Sequence, residues 1–324
     1  MFSPCPACRG GLLHSWKKPF ILAATLAIAA CSHEYTGSDE AAKALRRYDV
    51  IQALAANEKV VVAGTQNGAL LLSRDAGKTW SRQALGQASL IDLAACPDGS
   101  FVGIDFNHKV WSADADGGGW QAGALEKPQV PLAVACDSLG RWHVAGSGAK
   151  IARSADRGAS WQVADLGEDA QITAVQMIDE HRGVALGEFG LFAVTDDGGA
   201  TWRPGARLPG EFYPYAALFT GRDEGYVSGL AGTVLRTRDG GASWQQIGNA
   251  AEAPLYRLFM HDGRPHGVGA GGVVARLAGD GFAALPYPDA APVFLGAGAS
   301  LAGRGAIVVG GPGGLVRSVG TQVN

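Results

Sequence analysis

Few residues of this chain are of types and spacings that do chemistry. Glu211-Phe212-Tyr213-Pro214-Tyr215 sets one carboxylate beside two phenols, and a neighbouring base can turn a tyrosine into a nucleophile. The same aromatics would cover the rim of a loop leading into a sheet, and the segment is assigned that role. His261-Asp-Gly-Arg-Pro-His266 offers two imidazoles, but a metal site needs at least a third protein ligand and none is evident. Both are read as solvated loop histidines. Asp114-Ala-Asp116-Gly117 opens like a calcium loop and lacks the closing glutamate. Cys96 and Cys136 could be bonded only with Cα atoms within about 7 Å, and matching positions on neighbouring sheets often stand further apart. Two buried thiols are therefore favoured over a disulfide. The chain has no Gly-x-Ser-x-Gly elbow and no Walker loop. No catalytic residue, metal or cofactor is assigned.

The elements that would have to position any site come in repeats. Ser73-Arg-Asp75-Ala-Gly77-Lys-Thr79-Trp80 recurs around Asp156, Gly158 and Trp161, around Asp197, Gly199 and Trp202, and around Asp239, Gly241 and Trp244. A fifth copy, from Asp114 to Trp120, carries one extra residue. The tryptophans are spaced 40, 41, 41 and 42 residues apart. Upstream of each box, two apolar runs flank a glycine: Gly64, Gly103, Gly146, Gly187, Gly229, Gly269 and Gly310. The last two repeats keep this hairpin but have decayed boxes at Ala278–Phe282 and Ser318–Gly320. Each unit reads as four short strands bounded by Gly and Asp, with no 3.6-residue stripe. The fold class expected is all-β: a seven-bladed β-propeller of four-stranded antiparallel blades, covering residues 45–324. The tail after Ser318 is too short for a last strand, so Leu45–Val50 is expected to supply it and close the ring.

The N-terminus has a different character. Lys17 and Lys18 precede twelve residues, Pro19–Ala30, too few to span a bilayer, and the stretch ends in Ile28-Ala29-Ala30-Cys31. This order resembles the lipobox of bacterial lipoproteins, which implies a cleaved signal peptide over 1–30 and a diacylglycerol thioether on Cys31. Residues 31–44 would then be the lipidated cysteine and a polar tether. Cys5-x-x-Cys8 would leave with the signal and is no redox pair. Ser32 in place of Asp favours the outer membrane, facing the periplasm. Loss of Arg9, Lys17 and Lys18, with no acidic residue, takes the formal charge from −3 to −6. Such a protein has no long-range attraction for nucleic acid.

In each box the Asp can accept backbone N–H groups of the turn, and the Trp can supply apolar surface between blades. These motifs match Asp boxes, shared by sialidases, sortilin-type receptors, some glycan hydrolases and photosystem II assembly factors; the resemblance implies that the boxes are structural. Box composition and repeat number most resemble the photosystem II stability and assembly factor family. That resemblance implies a non-catalytic lipoprotein of photosynthesis-related type that holds a membrane-protein partner. A sialidase would need an Arg-Ile-Pro motif, absent here, and an arginine triad.

Arg153, Arg236, Arg276 and Arg317 fall near the ends of third strands and could form a shared patch for an acidic partner segment or lipid headgroups. The plainer reading is that they are charges guarding strands against aggregation. The expectation is a monomeric, lipid-anchored, non-enzymatic module that docks a membrane or envelope protein complex. Degenerate sialidase-type glycan hydrolase and accessory lipoprotein of an exporter are the alternatives. An apolar or arginine-lined rim would favour docking, and arginines clustered in the central funnel would favour hydrolysis.

Overall fold

The computed structural model describes residues 37–86, 88–301 and 303–321. The leader over 1–30 and the lipid attachment expected at Cys31 lie outside the described residues. After a short helix, Gly37–Ala42, the chain forms consecutive antiparallel sheets. We number them I (51–84), II (90–124), III (131–165), IV (172–204), V (214–249), VI (255–284) and VII (297–320). Sheets I to VI each run through four strands in sequence order; VII has three among the described residues. The outer strands of V and VI also pair in parallel through Gly248↔Gly281 and Asn249↔Phe282, which joins those two sheets into one of eight strands. No sequence pattern pointed to that joint.

The first strand of each sheet packs against the first strand of the next, and that of VII packs against that of I. A ring around a central channel results. The apolar runs dictate what faces inward: Val61–Thr65, Phe101–Asp105 and Gly183–Gly187, all second strands, are wholly buried. Fourth strands such as Gln121–Ala124 are exposed and polar or small. Between each pair of neighbouring sheets lies an apolar layer, from Val62, Leu90 and Phe101 between I and II to Ile51, Ala297 and Val308 between VII and I. Each box Trp packs against the layer toward the preceding sheet, Trp80 on that of VII and I and Trp244 on that of IV and V. In VI, whose box has decayed, Phe282 is 1% exposed in the corresponding layer.

The boxes themselves are closed hydrogen-bond units. Asp197 accepts the hydroxyls of Thr195 (2.8 Å) and Thr201 (2.5 Å) and the Thr201 N–H (2.9 Å), while Thr195 accepts the Gly199 N–H (2.9 Å). Gly199 has φ +81°, and a Cβ there would meet the His143 ring at 2.6 Å, so geometry and space both exclude a side chain. Asp75, Asp156 and Asp239 repeat the pattern. Asp114 accepts the N–H groups of Asp116 (2.9 Å) and Gly118 (2.8 Å) and so closes its own turn. The hydroxyls of Thr79, Ser160 and Ser243 are the main cause that holds Asp75, Asp156 and Asp239 down to about 2; at Asp197 burial acts upward most strongly, and the hydrogen bonds from Thr201, Thr195 and the Ala200 N–H together outweigh it, to the same value.

A carboxyl depressed in the folded state stabilises that state above its unfolded pKa of about 3.9, and the contribution disappears as pH falls toward about 2. Urea midpoints should fall first between about pH 7 and 5, where the unfolded chain protonates His143, His261 and His266 while burial holds their folded pKa values down, and the box contribution should be lost between about pH 4 and 2. The Asp156→Asn, Asp239→Asn variant should start lower and fall less steeply, and parallel curves for the two proteins would exclude this role for the boxes.

Three expectations need correcting. Leu45–Val50 forms no strand beside VII: it makes one bridge, Val50↔Pro312, with the Ile51 N–H on Gly311 O (3.0 Å) and the Gly314 N–H on Asp49 O (2.8 Å). Arg82 explains the course of the segment, since it grips the Asp49 carboxylate (2.7 and 3.0 Å) and Ala44 O (3.0 Å) and draws the chain across the end of VII. The leading glycines, read as hairpin glycines, sit within second strands, all but the central Gly103 in the last two positions, and serve close approach. A Cβ on Gly269 would lie 1.9 Å from Pro254 O, where a bulge carries the first strand of VI past it. His261 and His266 are buried, each 2% exposed. They flank a two-residue Asp262-Gly263 hairpin whose strands carry both rings inward, and His261 contacts the hydroxyls of Ser300 (2.9 Å) and Thr321 (2.8 Å).

Candidate docking face

Strand direction alternates, so all first strands begin at one end of the ring, and the hairpins between second and third strands turn there too. The boxes and the first hairpins occupy the other end. Among the described residues nine large apolar side chains are exposed, and six of them share the first end. Tyr48, Val130 and Phe294 precede the first strands of I, III and VII; Phe106, Phe189 and Leu230 sit on the second-to-third hairpins of II, IV and V. Leu139, Val163 and Met260 lie elsewhere. A hairpin tip ordinarily takes polar turn formers, so bulky apolar residues at three such tips are unusual. Phe189 is the extreme case: it is 58% exposed and adopts φ 56°, ψ 28°, a conformation costly for an aromatic residue. Its carbonyl accepts from Arg207 (3.0 Å), and the next N–H bonds Phe212 O (3.0 Å).

Inside this rim three half-buried tyrosines meet edge to face, Tyr213 with Tyr215 (5.8 Å) and Tyr215 with Tyr256 (5.2 Å). Tyr215 and Tyr256 hold the second position of the first strands of V and VI, the place taken by Gln52, Ile91, Leu132 and Thr173 elsewhere. Burial raises the phenol pKa of Tyr213 and Tyr215, reinforced at Tyr213 by the Glu188 carboxylate, so both stay neutral. The Glu211 segment thus lies at the channel mouth, as a rim-covering loop would; Phe212 is buried between IV and V, and the side chain of Glu211 lies outside the described residues.

Deeper in, Arg257 on the first strand of VI donates to Asp92 on the first strand of II (2.5 Å). These sheets are not ring neighbours, so the pair bridges the channel. Asp92 also accepts the N–H groups of Val134 (2.9 Å) and Leu93 (3.0 Å). Nothing in the sequence flagged this pairing, because its members are 165 residues apart.

The four arginines do not share one register. Arg153, Arg236 and Arg276 pair with His143, Tyr226 and His266 at one register toward the box end, whereas Arg317 pairs with Val309, two residues nearer the other end. Arg236 is also spent on Glu224, Asp280 and the Tyr226 ring, and Arg153 on Gln162 (3.1 Å). Cys96 and Cys136 are joined, with Cα atoms 5.2 Å apart, which replaces the two-thiol expectation. The first strands of II and III pack side by side, and the two cysteines come at their matching ends.

Fold and boxes together define an Asp-box β-propeller with an aromatic mouth at one end. Within that class the chain resembles the photosystem II assembly factors. Residues 152–256 match the family described as "Photosynthesis system II assembly factor YCF48". The "Photosystem II assembly lipoprotein Ycf48" of Synechococcus sp. (strain CC9902) is 30% identical over 132 residues, and the match spans 39% of each chain. Solved structures of the same fold include YCF48 bound to a D1 peptide, at TM-score 0.69 and 14% identity over 86% of this chain and 96% of that one. YCF48 from Cyanidioschyzon merolae aligns at TM-score 0.67 and 15% identity, covering 85% and 97%. Virginiamycin B lyase from Staphylococcus aureus aligns at TM-score 0.72 and 10% identity, covering 86% and 96%, a likeness of fold alone.

Proposed function

We propose that this chain is a non-catalytic assembly or docking lipoprotein: a seven-bladed propeller, anchored through Cys31 on the periplasmic side of a bacterial membrane, that holds a segment of a membrane or envelope protein complex. The observation that carries this reading is the apolar and aromatic concentration at one end of the ring, densest where Phe189, Tyr213, Tyr215 and Leu230 stand in the stretch that matches the assembly-factor family. Rigid aromatics with half-buried bodies and free edges are what recognition surfaces use. The blade count rests on the cyclic packing of sheets I to VII and on the seven leading glycines. That a YCF48 has been solved with a D1 peptide supports a peptide segment as the ligand class. Against the sialidase alternative, the arginine that bridges the channel is already paired with Asp92, and the arginines of the sequence-predicted set do not converge there.

In-cell crosslinking of the tagged, processed protein should recover one defined membrane complex. Phe189→Ser with Leu230→Ser and Tyr215→Ala should reduce recovery roughly tenfold or more, while Leu139→Ser at the opposite end leaves it unchanged. Equal recovery from both variants would overturn the assignment of the face, and absence of any specific partner would overturn the docking reading itself.

A further inference from the structure

The side of the same end away from the tyrosines has a different chemistry. Tyr48, Phe106, Val130 and Phe294 stand along the arc of VII, I, II and III, each exposed. Exposed basic side chains accompany them: Arg47 beside Tyr48, His108 and Lys109 beside Phe106, and Lys127 before Val130. The exposed acids on these loops are fewer, Glu126 and Asp289, and Glu40 is already paired with Lys43 (2.7 Å). The chain also enters the ring here. The Arg47 N–H is bonded to Glu40 (2.8 Å) of the first helix, and Asp49 and Val50 are fastened to the hairpin of VII. From Gly37 back to Cys31 there are six residue steps, which span at most about 20 Å.

We propose that this arc is a membrane seat: Tyr48, Phe106, Val130 and Phe294 enter the interfacial region of an anionic bilayer, and Arg47, Lys109 and Lys127 lie at its headgroups. Large apolar side chains with a basic surround are the surface chemistry of proteins that lie on lipid, and each basic residue near an anionic leaflet contributes about 1 kcal/mol. The lipid on Cys31, on which the seat's permanence rests, would hold this end of the ring within about 20 Å of the bilayer, and side chains already at that end need no rearrangement to reach it. The two halves of the face then divide the work. The arc of VII to III rests on lipid, and the tyrosine mouth of IV to VI stays beside the membrane surface for a protein segment emerging from it.

The test uses the processed, full-chain protein in vesicles of phosphatidylethanolamine and phosphatidylglycerol, with an environment-sensitive fluorophore placed through F106C, F294C or, on the opposite end, L139C. Brominated acyl chains should quench the labels at 106 and 294 and leave that at 139 bright. In a second arm, protein lacking the lipid should still partition to these vesicles, and Arg47→Ala should weaken partitioning about fivefold, the equivalent of 1 kcal/mol. Replacing phosphatidylglycerol with phosphatidylcholine should weaken it further. Mass measurement of the mature N-terminus tests the anchor separately. Acylated protein with no quenching at 106 and 294 would overturn the seat and leave the anchor standing; quenching without acylation would do the reverse.

Discussion

Reduction of the Cys96–Cys136 bond is expected to lower the stability of the ring by about 4 kcal/mol, because the bond closes a loop of 40 residues and loop-closure entropy for that length has this size. The loop holds the second, third and fourth strands of II and the first strand of III, so the unfolded chain that regains freedom is one whole repeat of the ring. Cys96 is itself packed with Val102, Trp142 and Val144 in the layer between II and III, so replacing both cysteines by serine adds a packing loss. Alanine is the cleaner substitution. Urea unfolding of the native protein and the C96A, C136A variant, with and without reductant, should give a midpoint shift only for the native chain. Two titratable thiols in unreduced, denatured protein, or equal midpoints, would show that the bond does not form in solution. Formation of the bond also fits an oxidising compartment, the one that an exported lipoprotein would reach.

Local chemistry was legible in the sequence; long-range juxtaposition was not. The boxes could be read as turns because their donors and acceptors lie within eight residues of one another, and Asp75, Asp156, Asp197 and Asp239 all close the same contacts. The repeats could be read as sheets because a run such as Leu191–Thr195 needs only its flanking Gly and Asp to define it. The histidines were misread because a turn-rich segment was taken for a solvated loop, when Asp262-Gly263 closes a tight hairpin whose strands bury His261 and His266 and leave Arg264 exposed. The arginines were read as four equivalents for a subtler reason. Counting from the box gives approximate equivalence, and a slip of two residues in VII moves Arg317 about 7 Å along its strand toward the other end. The closing strand was expected from what the last sheet lacks, and no count of residues could show that Arg82 would draw Asp49 and Ala44 away from that edge. The docking face left two traces, the rim aromatics of the Tyr213–Tyr215 segment and the apolar residues at the tips Phe106, Phe189 and Leu230, and the meaning of the tips emerges only when strand direction puts all three at one end.

The pair that bridges the channel allows the sharpest energetic test. Asp92 is buried, its side chain 7% exposed, whereas Arg257 is 32% exposed and opens toward the channel. Loss of the guanidinium leaves a buried carboxylate with two backbone donors and no counter-charge, so Arg257→Met should cost about 3 kcal/mol. Asp92→Asn keeps an oxygen for the buried Val134 N–H and frees an arginine that water can reach, so it should cost only about 1 kcal/mol. The double variant has no buried charge to leave unpaired and should sit close to Asp92→Asn alone, which gives a coupling of about 3 kcal/mol between residues 165 apart in sequence. Additive losses in chemical denaturation would mean that the two side chains do not meet. The same cycle separates a structural channel from a ligand-binding one. If the pair is a clasp, Arg257→Met destabilises the ring while recovery of the crosslinked partner, normalised to folded protein, stays constant, since the tyrosine mouth and the rim keep their own contacts. If recovery collapses in a variant that remains folded, the ligand reaches past the tyrosines to Arg257, and the channel has to be counted as part of the site.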